Sequence, residues 1–123
     1  MEQQKLEELT KQTMLLRELN KQALVHFKKY SESEEVADFF ADVKPFADEV
    51  KDNLEQWTPN VLKWLESKKP PYIHPQQIDE LVENFEILSV TCFQKDTRNK
   101  KLMDRYKSIE YTLSLVAQSL DGN

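Results

Sequence analysis

Glycine is almost absent from this chain, since the only one among 123 residues is Gly122, next to the C-terminus. Glycine supplies the positive φ angles of tight hairpins and the close backbone approach of phosphate-binding loops. Residues 1–121 therefore contain neither a P-loop nor a dinucleotide-binding fingerprint, because both motifs are built on glycines. The lack of such turns favours a helical fold.

Length and composition indicate one domain that covers residues 1–123. Apolar residues make up 39% and charged residues 32% of the chain, which is too hydrophobic for disorder. No apolar run approaches the roughly 20 residues that span a bilayer. The N-terminus lacks the apolar core of a signal peptide, and the single Cys92 cannot form an internal disulfide. We therefore expect a cytoplasmic protein that is not associated with a membrane.

The first segment has the apolar spacing of a bundle helix over residues 2–30, with a break near Ser31. Its stripe advances in steps of four and three and includes two polar positions: Leu9, Thr13, Leu16, Asn20, Ala23, Phe27 and Tyr30. This spacing predicts that one face of the helix lies in a shared core.

The second segment, residues 34–68, keeps one such spacing through two prolines: Val36, Phe40, Val43, Ala47, Val50, Leu54, Trp57, Val61 and Trp64. Because a loop would disturb this spacing, Pro45 is expected to kink a continuing helix. Thr58 and Pro59 resemble an N-cap and a first helical residue. The helix is therefore expected to break or bend near Pro59, so that residues 59–68 cap or cross the bundle end.

A proline-rich loop at residues 69–75 separates this segment from a third helix, for which Pro75 suits the first position and His74 the N-cap. Asp96 and Thr97 then restart the chain before a fourth helix. The two apolar stripes are Ile78, Leu81, Phe85, Leu88 and Cys92, followed by Leu102, Tyr106, Ile109, Leu113, Val116 and Leu120. The four segments predict an all-α, antiparallel up-down-up-down four-helix bundle.

The residues that could perform chemistry are few. A di-iron bundle needs Glu-x-x-His motifs, and the residues three positions before His26 and His74 are alanine and proline. The two histidines and Cys92 do not have zinc-ligand spacing. Cys92 lies on an apolar stripe and is interpreted as a buried structural thiol, and His26 as a partly buried polar residue. We predict no catalytic residue, no metal and no cofactor.

Charge is distributed unevenly along the chain. Residues 31–57 contain nine acids and two lysines, a net charge of −7, whereas residues 95–107 contain six bases and two acids, a net charge of +4. The overall charge of −5 argues against nucleic-acid binding. A basic patch is predicted to meet an acidic partner or an anion, unless it is only a solvated and partly self-neutralised face: Lys28, Lys29, Lys95, Arg98, Lys100, Lys101 and Arg105.

Trp57 and Trp64 share one stripe, and Tyr72 lies on the proline-rich loop. These three residues either pack into the core and the bundle end or line a ligand groove. We therefore carry two functional hypotheses. The first is a non-enzymatic protein–protein interaction module, with homodimerisation left open. The alternative is a bundle that binds a small molecule or an anion at its end.

Four stretches carry a resemblance to a known family: Asp38-Phe39-Phe40, Val43-Lys44-Pro45-Phe46, Trp57 through Trp64, and Pro70-Pro71-Tyr72-Ile73-His74-Pro75. In these stretches the chain resembles the YppE-like family of uncharacterised Bacillus-type bacterial proteins. The resemblance implies a four-helix bundle over the whole chain. It supplies no catalytic residue, because the shared features are packing and turn residues.

Overall fold

The computed structural model describes residues 2–122, and no β-strand occurs among them. The elements are α1 (Glu2–Glu32), a π-helical segment (Phe39–Val43), α2 (Lys44–Lys68), α3 (Pro75–Thr91) and α4 (Asn99–Asp121). The predicted all-α class and the four helices are confirmed.

The helices pack in chain order around one core. Each of α1 and α3 packs against both α2 and α4, which places α2 and α4 diagonally across the bundle. The end of α2 meets the start of α1 in the ion pair between Lys68 and Glu2 (3.5 Å). Along α1, Arg17 pairs with Glu110 (2.6 Å) and Asn20 with Tyr106 (3.1 Å), so residue numbers rise on α1 as they fall on α4. The helices are therefore antiparallel. We call the end with residues 33–43 and 92–98 the two-loop end, and the opposite end the terminal end.

The core follows the predicted stripes closely. All seven stripe positions of α1 are buried, including Thr13 and Asn20. The indole of Trp57 donates to the Thr13 hydroxyl at 3.0 Å, and the Asn20 amide donates to the Tyr106 carbonyl at 3.1 Å. The two polar positions are thus held by partners on neighbouring helices.

The start of the second helical segment differs from the prediction. Residues 33–38 are not helical, and the expected helical positions Val36 and Phe40 are exposed. The carboxylate of Asp38 accepts the Ala41 N–H at 2.7 Å, while the carboxylate of Asp42 accepts the Asp38 N–H at 2.8 Å. This reciprocal pair fixes the helical start at residue 39, because it satisfies donors that a helix end leaves free.

The helix continues through Pro45 as expected, but the prediction at Pro59 needs correction. Pro45 lies in the first turn of α2, directly after the π-helical segment, and the helical stretch that begins at Phe39 runs through it. Pro59 lies inside α2, which continues without a break to Lys68. The Thr58 hydroxyl donates to the Leu54 carbonyl at 2.7 Å and does not cap a new helix. The expected break at Pro59 is therefore wrong.

The proline-rich loop begins at Lys69, which has a left-handed backbone with φ of 46°. Tyr72 has a φ of 72° and is 77% exposed, so the expectation that it packs against the bundle end is wrong. Ile73 is buried instead. His74 is the N-cap of α3, as predicted, and its N–H donates to the side chain of Gln77 at 2.6 Å.

Candidate interaction surface at the two-loop end

Three apolar side chains project into solvent from the segment that leads into α2. Val36 is 80% exposed, Phe39 56% and Phe40 76%. The rings of Phe39 and Phe40 meet edge to face, with 5.1 Å between their centroids. Isolated apolar side chains are common on protein surfaces, but a contiguous aromatic patch of this kind is typical of interaction sites.

Buried residues directly after the aromatic patch anchor it to the bundle. Val43 and Phe46, which follow it in the chain, are buried. The ring of Phe46 contacts those of His26 and Phe93, with centroid distances of 4.9 and 5.8 Å. The π-helical turn arises because the Asp38 carbonyl accepts from both Asp42 and Val43. Single π-helical turns are rare, and functional sites often contain them.

Negative charge surrounds this patch. Residues 32–42 contain five acids and no base: Glu32, Glu34, Glu35, Asp38 and Asp42. Lys29 on α1 approaches Glu35 at 3.6 Å. Electrostatic interactions, first with Tyr30 and then with the Glu35 carboxylate, raise the pKa of the Lys29 ammonium. We call residues 32–42 the acidic-aromatic segment.

Sequence reasoning missed Phe39 and Phe40 as site residues. The steps of four and three from Val36 to Phe40 to Val43 match the apolar spacing of α2. Because of this match, Phe40 was predicted to be a core residue. The signal that could have revealed the true arrangement is Asp38, an N-cap residue type in front of the two aromatics.

Three members of the predicted basic patch have partners within the molecule. Lys29 pairs with Glu35, and Lys100 pairs with Asp104 at 3.6 Å. The Lys95 ammonium donates to the carbonyls of Tyr30 (2.8 Å) and Ser33 (2.6 Å), so it binds the end of α1. Lys95 therefore has a structural contact that its sequence position does not reveal.

The other members of the predicted basic patch are mostly exposed to solvent. Lys28, Arg98 and Lys101 are exposed, and no ion pair involves them within residues 2–122. Arg105 is half-buried, and its Nε–H has no hydrogen-bond partner in the described part of the chain. Since α2 and α4 are diagonal, the basic residues of α4 and the acidic-aromatic segment occupy different sides of the two-loop end.

The predicted groove residues do not line one cavity. Trp57 is fully buried, whereas Tyr72 is exposed on its loop. Trp64 is buried at the wall of a cleft of about 490 Å³ between α1 and α2, and Trp57 and Tyr72 do not line that cleft. Of the three, only Trp64 contributes to the wall of this cleft.

The two residues considered for chemistry are held inside apolar surroundings. Cys92 is buried, as predicted, and burial raises the pKa of its thiol to about 12. A thiol with such a pKa is protonated at neutral pH and is a poor nucleophile. His26 stacks on Phe93 at 4.7 Å, and burial followed by the nearby Lys29 charge lowers its pKa against the opposing effect of Asp42.

Residues 2–122 contain no cluster of three or more histidine, cysteine, aspartate or glutamate side chains that could hold a metal ion. None of the helices formed by these residues is long and apolar enough to cross a membrane.

The fold defines an all-α four-helix bundle with an aromatic patch at one end. The model of a bacterial domain of unknown function (DUF1798) matches residues 13–120, and the chain belongs to this family. The uncharacterised protein YppE of Bacillus subtilis is 26% identical over 117 residues, which cover 95% of this chain and 93% of YppE. The predicted resemblance is confirmed.

Solved structures share the fold. A crystal structure of a protein of unknown function from Listeria innocua is 28% identical, with a TM-score of 0.90 over 95% of this chain and 94% of that one. The crystal structure of YppE from Bacillus subtilis is 24% identical, with a TM-score of 0.86 over 91% of each chain. These similarities establish the bundle architecture.

Proposed function

We propose that this protein is a non-enzymatic interaction module that binds a basic, partly apolar segment of another protein on its acidic-aromatic segment. The observation that carries the proposal is the exposure of Phe39 and Phe40 on an ordered turn. Aromatic residues are enriched among the anchors of protein interfaces because they bury a large area with few rotatable bonds. The single buried thiol, Cys92, supports a cytoplasmic location for this activity.

The exposed rings of Phe39 and Phe40 offer apolar surface that a partner could bury. Fully burying a phenylalanine side chain stabilises a protein or complex by roughly 1.5–3 kcal/mol. Phe39 and Phe40 are exposed and do not gain this stabilisation within the bundle. They lie in a helical turn that is anchored by the buried Phe46, which packs against Phe93. A partner would bury both rings without the cost of ordering a loop.

Charge selects the class of partner. Two cations, Lys29 at Glu35 and Lys95 at the Ser33 carbonyl, offset part of the charge of the five acids. The remaining negative charge attracts a surface rich in lysine and arginine and repels an acidic one. The proposed partner therefore presents apolar side chains flanked by basic residues. A helix with an apolar face and basic edges has this chemistry.

Site-specific photocrosslinking tests the proposal in the bacterium that encodes the protein. A photoreactive phenylalanine analogue replaces Phe40 in one variant and Tyr111, an exposed residue of α4, in the control. We expect the position-40 probe to give a discrete adduct with a protein whose crosslinked peptide is basic and apolar. The position-111 probe should not give this adduct.

Other outcomes would contradict the proposal. An adduct between two copies of this chain would assign the segment to homodimerisation. Absence of any adduct specific to position 40 would remove the segment as a docking site. A protein that crosslinks to the probes at positions 40 and 111 alike, but not after Lys100→Glu/Lys101→Glu, would instead indicate an acidic partner that binds the predicted basic patch.

A further inference from the structure

The cleft of about 490 Å³ lies at the terminal end, where the first turns of α1 face the last turns of α2. Its apolar wall is formed by Leu6, Leu9 and Trp64, and polar side chains such as Asn60 and Ser67 complete its lining. Small-molecule sites commonly have volumes of roughly 300–1,000 Å³ and combine an apolar wall with a few polar groups.

Trp64 differs from Trp57 in one respect. Both indoles are buried, but the Trp57 N–H donates to Thr13, whereas the Trp64 N–H has no acceptor within residues 2–122. Trp64 is only 6% exposed and its Nε1 atom is closed to solvent, so an acceptor in the cleft reaches this donor only when the indole turns toward the cleft. An unpaired buried donor carries a free-energy penalty, which an acceptor supplied by a ligand would remove.

The charges around the cleft favour an anion. Three lysines and two glutamates line it: Lys5, Lys63, Lys68, Glu2 and Glu8. The Lys68 ammonium lies 3.5 Å from the Glu2 carboxylate. Among the five charged residues, the cleft therefore retains a net charge of +1. Lys5 and Lys63 are exposed and have long side chains that can rotate toward an occupant.

We propose that this cleft binds a small amphipathic carboxylate. The apolar tail lies against Leu6 and Leu9, and the carboxylate pairs with Lys5 or Lys63. The indole of Trp64 turns so that its N–H donates to the carboxylate. The cleft is at the opposite end of the bundle from the acidic-aromatic segment, so the two proposals stand independently.

Nuclear magnetic resonance of the ¹⁵N-labelled full chain tests this site, because two tryptophans give two indole signals. The Trp57→Phe variant assigns them. Octanoate serves as the probe and octan-1-ol as its uncharged counterpart. We expect octanoate at millimolar concentrations to shift the Trp64 indole signal saturably, to leave the Trp57 signal in place, and to bind at least about fivefold more tightly than octan-1-ol.

Variants separate the roles of the residues. Trp64→Phe keeps an aromatic wall but removes the donor, and Lys5→Gln/Lys63→Gln removes both lysines that could pair with the carboxylate. Each should weaken octanoate binding about fivefold or more, whereas Lys21→Gln, on an exposed position of α1 away from the cleft, should have no effect. Binding by Trp64→Phe is followed through backbone amide shifts of residues 5–9. No saturable shift of the Trp64 signal, or equal binding of octanoate and octan-1-ol, would overturn the proposal.

Discussion

The indole N–H of Trp57 donates to the hydroxyl oxygen of Thr13 at 3.0 Å across the α1–α2 interface, and that hydroxyl donates in turn to the Leu9 carbonyl at 2.8 Å. Trp57 and Thr13 are both fully buried. Thr13, one of two polar residues on this stripe, thus has a specific role, since it supplies the hydrogen-bond acceptor for the buried indole of Trp57.

Replacing Thr13 by valine keeps the shape but removes the acceptor. The buried indole donor is then unpaired, and we expect the free energy of unfolding to fall by about 1–3 kcal/mol. Urea denaturation followed by far-ultraviolet circular dichroism measures this change. In the Trp57→Phe background no donor remains, so Thr13→Val should cost close to nothing there. An equal cost in both backgrounds would show that the hydrogen bond is not the cause.

The helices were predictable where burial alone decides the structure. The stripes of α1, α3 and α4 follow from apolar spacing, because each helix covers one face of a common core. Apolar spacing gave the wrong prediction between Val36 and Phe40. It indicates which side chains share one face of a helix, but it does not indicate whether the helix extends over those residues. The hydrogen bonds of Asp38 and Asp42 decide where it begins, and they depend on backbone geometry that periodicity does not contain.

The prolines illustrate a second limit of sequence reasoning. Proline in a helix interior removes one hydrogen bond and crowds the preceding turn, which ordinarily ends the helix. In α2 the packing of Val61, Trp64 and Leu65 beyond Pro59 holds the helix together despite this cost. Tertiary burial therefore outweighs local propensity at this position.

Replacing Pro59 by alanine should stabilise the protein. Pro59 is exposed, so its ring contributes little burial, and alanine would restore the helical N–H. The added entropy of the unfolded chain offsets about 0.4–1 kcal/mol of this gain. We expect a net increase of about 1–2 kcal/mol in the free energy of unfolding by urea denaturation.

Pro45→Ala is the matched control, because Pro45 lies in the first turn of α2. Proline's fixed φ is favourable at this early position, and the variant should be unchanged or less stable by up to about 1 kcal/mol. If both variants gained equal stability, proline position within the helix would not be the determining factor.

The contacts of the basic patch could not be predicted from the sequence, because they depend on how the helices are arranged. Charge counting predicted a basic region and treated Lys95 as part of its free surface. The acceptors of Lys95 are backbone carbonyls at the end of α1, more than 60 positions away in the chain. Contacts of this kind depend on how the helices are arranged and have no residue-type signature.

Lys95→Met should therefore lower stability, unlike neutralisation of an exposed lysine. The variant loses two charge-assisted hydrogen bonds to the C-terminal end of α1, where a cation is favourable. Because part of this contact is exposed to solvent, we expect a loss of about 1 kcal/mol. Thermal denaturation of Lys28→Met, which removes an exposed charge one turn from the end of α1, should show no comparable change. Equal effects would indicate a general influence of charge.

His26 should make stability depend on pH. Its pKa is lowered in the folded state by burial and by Lys29, so between that pKa and the usual value near 6.5 the unfolded chain binds more protons. Stability is consequently highest above about pH 6.5 and falls as the pH decreases toward the folded-state pKa. Urea denaturation at about pH 7.5 and pH 5 measures the change.

His26→Phe places an apolar ring against Phe46 and Phe93 and removes the titrating group. The loss of stability between the two pH values should be smaller in this variant than in the wild type. His74→Gln should retain the full decline, because it leaves His26 in place. A decline in His26→Phe as large as that of the wild type would assign the pH dependence to other groups.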